Sequence, residues 1–468
     1  MACRSLLAAL ISACVPYQPA PLDQATLVSG YNARRLEDPG LLRYLGETGT
    51  QPLTMGWQAR DLTLTTWYFS PALDRARAAR DEAIAAQITA GTREQPSLVV
   101  DVEHSYAGGE GQPPWGVAGT VGFPVELGGK RGARVARAQA RTFVAEAELS
   151  EVAWQSGIEV RGAMNRLGAA QLRLADLRAE LVVLQALDTL LITRYHEGVV
   201  SRADVAQNEA DLQATLVEWG DAEREHREAL VGVATALGVL PNRLDTLRLV
   251  APGGSWCDAA GELAHDSLQA LTVHSRPEVG RAMANYGVAE ADVRVEISKQ
   301  YPDLTLGPGL FFDHGINKWT VLFSIPSIPL HRNRGPIAEA EARRSAAAAQ
   351  VIAVQDSALA EVEAGLDRCK VTGALLAAAD SLLASVEQRI GRAEAAYERG
   401  ETSRLELLFL ELARTRAKKT RHAAEQQRRE AGTRLEEAAG VWRSEPPPRW
   451  PDLTHSPRSP EALGEAQP

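Results

Sequence analysis

The chain contains itself twice. The stretch SPALDRARAARDEAIAAQITAGTREQPSLVVDV at 70–102 lines up with RPEVGRAMANYGVAEADVRVEISKQYPDLTLGP at 276–308. Pro71 to Pro96 is 25 residues, and Pro277 to Pro302 is 25 again. Further on, YHEGVVSRADV at 195–205 matches YERGETSRLEL at 397–407, and Leu127 to Gly198 spans 71 residues where Leu330 to Gly400 spans 70. Landmarks in the same order at the same spacing make the chain a duplicated unit of roughly 200 residues. Whatever one copy folds into, the other must fold into as well.

Each copy has the same grammar. A helix of about 25 residues ends before Pro96 or Pro302, where the residue preceding proline is pushed out of the helical region. Two alternating segments follow, joined by the tips AGGEGQPP (107–114) and DHGIN (313–317). In SLVVDVEHSY one face carries Leu98, Val100, Val102, His104 and Tyr106, and the other carries Ser97, Val99, Asp101, Glu103 and Ser105. In WGVAGTVGF, Trp115, Val117, Val121 and Phe123 oppose Gly116, Ala118, Thr120 and Gly122. KWTVLFSI repeats this with Trp319, Val321, Phe323 and Ile325 against Lys318, Thr320, Leu322 and Ser324. Period-two alternation, apolar on one side and small or polar on the other, is what a membrane-spanning strand needs, with aromatics such as Phe311 and Phe312 free to sit at the interfaces. On this reading Asp101 and Glu103 line a lumen, and His104 belongs to the aromatic girdle. The third segment, DLTLGPGLFF, is weakened by Pro308, which cannot donate to a ladder. Four strands cannot close a barrel, and an open strand edge cannot sit in lipid, so several copies must share one. A soluble four-stranded sheet packed on the helices is the alternative.

The remaining tracts are helical. From Lys130 or Arg334 the pattern runs about 65 residues to a glycine turn, which at 1.5 Å per residue is on the order of 100 Å. Apolar positions keep heptad spacing, with Leu177, Leu184 and Leu191 in one series and Leu167, Leu174 and Leu181 in another, although Asp188 interrupts. Heptads sustained over such a length predict coiled-coil packing. Gly198 and Gly400 sit where a left-handed C-cap belongs, and Ser201 and Ser403 where the returning helices of about 35 residues need N-caps. Those helices close near Gly238 and Gly440. The expected unit is a strand pair from which a long helical hairpin hangs. The junctions FPVELGGKRGARVARAQAR (123–141) and IPSIPLHRNRGPIAEAEAR (325–343) put Lys130, Arg131, Arg332 and Arg334 where strand becomes helix.

Composition removes other classes. With 50 Lys plus Arg against 60 Asp plus Glu the net charge is −10, which argues against a general nucleic-acid binder. Nine histidines form no HxxH or His/Cys cluster, so no metal site and no cofactor is expected. There is no Walker loop, nucleophile elbow or paired-acid motif, and no enzymatic activity is expected. Cys257 and Cys369 are expected to be unpaired. No continuous run of 18 apolar residues is present, so any membrane crossing falls to the strands.

The N-terminus, MACRSLLAALISAC, has the layout of a secretory signal over 1–13, and the small residues before Cys14 resemble a bacterial lipobox. That makes Cys14 the candidate lipidated residue of the mature chain, and Val15 after it implies sorting to the outer membrane. Residues 14–69 read as extended and irregular, 70–250 as the first repeat, 251–443 as linker and second repeat, and the Pro-rich 444–468 as a disordered tail.

Together these residues, and VELGGKRGARV (125–135) and IPLHRNRGPIAEAEAR (328–343) in particular, resemble the TolC family of outer-membrane efflux ducts, most of all its heavy-metal branch. The resemblance implies a mainly α fold with a β-barrel portion. It implies a homotrimer with a 12-strand barrel in outer-membrane lipid and an α-barrel of coiled-coil hairpins in the periplasm. It implies partners: a periplasmic adaptor docking at the tips Gly198–Ser201 and Gly400–Ser403, and an inner-membrane pump of the resistance–nodulation–division type. The cargo would be heavy-metal cations, with drugs or small organic molecules as the alternative. A soluble periplasmic coiled-coil scaffold is the reading from another class. Glu406 falls on one acid position of the family's pore gate, while the second falls on Phe409. Asp204 is the first-repeat counterpart of Glu406, with Arg202 and Arg404 as candidate partners.

Overall fold

A computed structural model of the chain describes residues 17–49, 56–106, 113–244, 256–260, 265–313, 315–325, 330–442 and 452–458. The expected signal segment, 1–13, and the candidate lipidation residue Cys14 lie outside these residues. The elements are α1 (Gln24–Ala33), α2 (Pro39–Glu47), α3 (Ala59–Phe69), α4 (Pro71–Gly91), β1 (Ser97–His104), β2 (Trp115–Val125), α5 (Lys130–His196) and α6 (Arg202–Leu237). They continue with α7 (Trp256–Ala260), α8 (His265–Ser275), α9 (Pro277–Ser298), β3 (Leu304–Asp313), β4 (Ile316–Ser324), α10 (Arg334–Glu398) and α11 (Arg404–Ala439). The duplication is realised element by element: α4, β1, β2, α5 and α6 return as α9, β3, β4, α10 and α11. The long helices have 67 and 65 residues, and both returning helices have 36.

The four strands form one antiparallel sheet in the order β1-β2-β3-β4, which leaves β1 and β4 as edges. Below it α4, α5, α9 and α10 pack side by side, and each long helix then continues alongside its returning partner. The heptad reading holds where it matters for packing. Leu177, Glu180, Leu184, Leu187 and Leu191 are all buried, at alternating spacings of three and four residues. Leu184 and Leu187 meet Leu408 and Leu412 of α11, so the seam joins the two hairpins to each other. The interruption at Asp188 is a cross-helix contact, with Asn208 of α6 donating to it at 3.4 Å.

The largest core lies midway along the molecule, where Leu149, Val160, Met164 and Leu167 of α5 meet α2, α3 and the end of α6. This corrects the irregular reading of 14–69. α3 is a helix with ten buried residues, so it has no polar face to announce it. Its threonines, poor helix formers by propensity, donate back to carbonyls one turn earlier: Thr63 to Ala59 at 2.8 Å, Thr65 to Asp61 at 2.8 Å and Thr66 to Leu62 at 3.0 Å. Tertiary burial overrides the propensity that the sequence displays.

Two more corrections concern cysteines and tail. Cys257 and Cys369 are not unpaired; they form a disulfide across 112 residues, with Cα atoms 5.4 Å apart. The fold lays α7 against α10 and α11, a proximity invisible along the chain. The expected disordered tail is folded at 452–458, where Arg77 donates to the Leu453 carbonyl at 3.0 Å and Arg458 pairs with Asp74. The rest of 444–468 lies outside the described residues. A buried ion pair, Arg161–Glu436 at 2.7 Å, ties α5 to α11 near this core, and the Arg161 guanidinium sits 4.8 Å from the Trp442 ring.

Candidate functional site: sheet, junctions and helical tips

The register of the sheet assigns every strand residue to a face. Leu98 opposes Val121, Val102 opposes Val117 and His104 opposes Trp115. Val117 opposes Phe312 and Phe123 opposes Leu306, while Leu310 opposes Trp319 and Leu306 opposes Phe323. Cross-strand partners point to the same side, so one face of all four strands is a continuous apolar surface. Large side chains on it stand open, with Leu98 70%, Trp319 79% and Phe323 68% exposed. A soluble sheet would bury such a face, and none of the described elements covers it.

The opposite face is small and polar. Asp101 opposes Ala118, Glu103 opposes Gly116, Gly116 opposes Asp313, and Thr120 opposes Gly309. The structure therefore places Asp101 and Glu103 on this face, as the alternation predicts, and adds Asp313, whose carboxylate accepts from Lys318 at 2.6 Å. His104 lies on the apolar side, its ring 4.5 Å from Trp115 and 4.8 Å from Tyr106. Phe311 departs from expectation: it opposes Ala118 and Lys318 on the small, polar face, whereas Phe312 is on the apolar one. Pro308 has the predicted local cost. Pairing between β2 and β3 skips from Thr120–Gly309 to Phe123–Leu306, while Pro308 still opposes Val321 of β4.

Both junctions use one backbone device. Gly128 and Gly129 have φ of +70° and +74°, and Arg332 and Asn333 have φ of +49° and +54°, immediately before α5 and α10 respectively. Two consecutive left-handed residues turn strand into helix in each copy, but only the first copy uses glycine. Asn333 offsets the strain of its position with hydrogen bonds from its side-chain amide to the carbonyl of Glu296 at 2.8 Å and to its carboxylate at 3.0 Å. Around the first junction Asp303 accepts from Lys130 at 2.7 Å and from the Leu127 N–H at 3.2 Å, and Arg134 pairs with Glu126. The basic residues had marked this place in the sequence; the acids that hold them had not.

At the far end of the hairpins Gly198 (φ +74°) and Gly400 (φ +75°) terminate the long helices, and Ser201 and Ser403 cap the returning ones. The structure gives both candidate gate acids a local task. Asp204 accepts from the Ser201 N–H at 2.9 Å and its hydroxyl at 2.7 Å, and its own N–H donates to that hydroxyl at 3.2 Å. These bonds, the hydroxyl's first, hold the Asp204 carboxyl below its ordinary value. Glu406 accepts from the Thr402 hydroxyl and donates its N–H to Ser403 at 3.3 Å. Arg404 reaches Glu411 at 3.7 Å rather than either candidate acid, and Arg202 makes no ion pair among the described residues.

A charged contact between the hairpins lies farther up, and sequence reading missed it. Glu180 of α5 is buried in the seam and accepts from Arg416 at 2.7 Å and Lys419 at 2.8 Å, both on α11. Those cations also reach Asp211 at 3.1 Å and Glu218 at 3.3 Å on α6. One turn beyond, His422 lies 2.8 Å from Asp176. Burial pushes the Glu180 carboxyl up, but the hydrogen bonds from Lys419 and Arg416 together outweigh it and hold it below its ordinary value. The signal was present: a glutamate between Leu177 and Leu184, one heptad before Leu187.

No family model and no curated protein matches this sequence. Solved structures do. The chain is similar to the outer-membrane protein VceC from Vibrio cholerae, with a TM-score of 0.65 at 20% identity over 86% of this chain and 98% of that one. It is similar to the outer-membrane channel OprN, with a TM-score of 0.64 at 20% identity, covering 92% and 98%. With CusC, described as forming a transmembrane channel, the TM-score is 0.62 at 17% identity, covering 92% and 100%. What is shared at these identities is the fold, and the chain has the fold of these channels from strand pairs to helical tips.

Proposed function

We propose that three copies of this chain form an outer-membrane channel, and that it is the exit duct of a tripartite efflux system. The observation that carries this reading is a sheet with one uncovered apolar face and two unpaired edges, β1 and β4. In lipid those edges need partners, and joining β4 of each copy to β1 of the next satisfies both; three copies give a 12-strand barrel. The small and polar face, with Asp101, Glu103 and Asp313, then lines a water-filled pore. The helices extend the duct into the periplasm, an oxidising compartment in which the Cys257–Cys369 disulfide persists. Lipidation of Cys14 would add an anchor.

The helical tips, Gly198–Ser201 and Gly400–Ser403, are the docking surface for a periplasmic adaptor that joins the duct to an inner-membrane pump. Glu406 and Asp204, with Arg404 and Arg202, stand at the closed end of the pore. The junction segments VELGGKRGARV and IPLHRNRGPIAEAEAR support heavy-metal cations as the cargo.

Membrane fractionation with native mass spectrometry of the detergent-extracted protein tests the channel. A trimer in the outer-membrane fraction is expected, and a soluble monomer would sink the proposal. For the cargo, a deletion strain should lose tolerance to cobalt, zinc, cadmium, copper or silver salts. Unchanged metal tolerance with raised drug sensitivity would replace metals by organic molecules.

A further inference from the structure

The first sixteen residues of α5, 130–145, carry five cations and no acid: Lys130, Arg131, Arg134, Arg137 and Arg141. At about 100° per residue these positions fall within one face roughly 120° wide. The architecture does not require them. Counted from the paired left-handed residues, Arg131, Arg134, Arg137 and Arg141 correspond in α10 to Gly335, Ala338, Glu341 and Ser345. The same helix, leaving the same kind of junction, is built in the second copy without the ladder.

The ladder borders a groove between α4 and α5 of about 550 Å³. Ala83, Ala86 and Ala90 of α4 line one side and Arg134, Arg137 and Arg141 of α5 the other, with Glu82 at the end away from the strands. Arg134 is engaged by Glu126, and Arg137 stands 3.5 Å from Asp292. Arg131 and Arg141 are exposed and make no ion pair among the described residues. The groove starts about one helical turn into α5, past the link 126–129 that follows β2, and runs about 10 Å farther along that helix.

We propose that this groove binds the phosphate of an anionic phospholipid headgroup in the inner leaflet of the outer membrane. The inference rests on the reading that the strands cross that membrane: the groove then opens at the depth where headgroup phosphates lie. Arg137 and Arg141 supply the charge, and the alanines leave room for the glycerol and first methylenes. Guanidinium groups set along a helix match the spread oxygens of a phosphodiester.

The full-length protein in detergent, given dioleoylphosphatidylglycerol or dioleoylphosphatidylcholine, is read by native mass spectrometry. The wild type is expected to retain phosphatidylglycerol selectively, and Arg137→Gln with Arg141→Gln to weaken retention on the order of tenfold. The double substitution Arg343→Gln with Arg344→Gln removes the same charge from α10 and should leave retention unchanged. Equal retention of both lipids by the wild type, or equal loss in both double variants, overturns the proposal. Displacement of the lipid by millimolar inorganic phosphate overturns it too, by assigning the groove to a free anion. Should Arg137→Gln with Arg141→Gln fail to assemble, Arg141→Gln alone, whose side chain is unpaired, carries the comparison. Outer-membrane fractionation is scored separately, so a trimer in the membrane without lipid selectivity fails this inference and not the channel.

Discussion

Glu180 occupies a seam position where its neighbours in register are leucines. Its side chain is 4% exposed, and its charge is held by Arg416 and Lys419 from the other repeat. A buried charge with partners on one particular helix fixes the sliding register of two coils, which a run of leucines alone leaves free. Glu180→Gln keeps the shape and loses the ion pairs, and we expect it to lower stability by about 1–3 kcal/mol at neutral pH, read as a fall in thermal midpoint. Because the folded carboxyl is depressed, its contribution is complete above the ordinary glutamate value of 4.5 and is lost as pH falls below that value. The gap between wild type and variant should therefore close on acidification; a gap independent of pH between 7 and 3.5 would contradict the assignment. Composition and heptad spacing reveal the seam but not Glu180's partners, which lie 236 and 239 residues away.

At the level of elements, legibility followed period. The strand pairs and long hairpins show their period over many residues, and their bounds fell within a few residues of expectation. α3 shows none because all its faces are buried, and a helix without a polar side reads as noise. The tips were located correctly, but the acids there serve first as capping groups. Ser201→Ala removes the hydroxyl that accepts from the Asp204 N–H, and we expect about 1 kcal/mol of loss confined to the first turn of α6. Hydrogen exchange should report faster opening of the amides at 203–206 with the seam at Leu184 unchanged. Loss of protection along the whole hairpin would show the cap to be more than local.

For the whole molecule, the disulfide is the feature least available from sequence. Closing a loop of this length restricts the unfolded chain by about 4–5 kcal/mol in the chain-entropy account. Reduction, or Cys257→Ser, should lower the thermal midpoint by several degrees; identical midpoints would refute a stabilising role. The two repeats are unequal in this respect, since only the second has such a staple. Between Cys257 and Cys369 lie α8, α9, β3, β4 and the first half of α10. The second pair of strands is therefore carried on a closed covalent ring, whereas the first hangs on an open thread. On the proposed channel reading, if oxidation precedes barrel closure, the second pair would enter the bilayer as a loop already fastened at its base, and the first pair would be the one left to find its place.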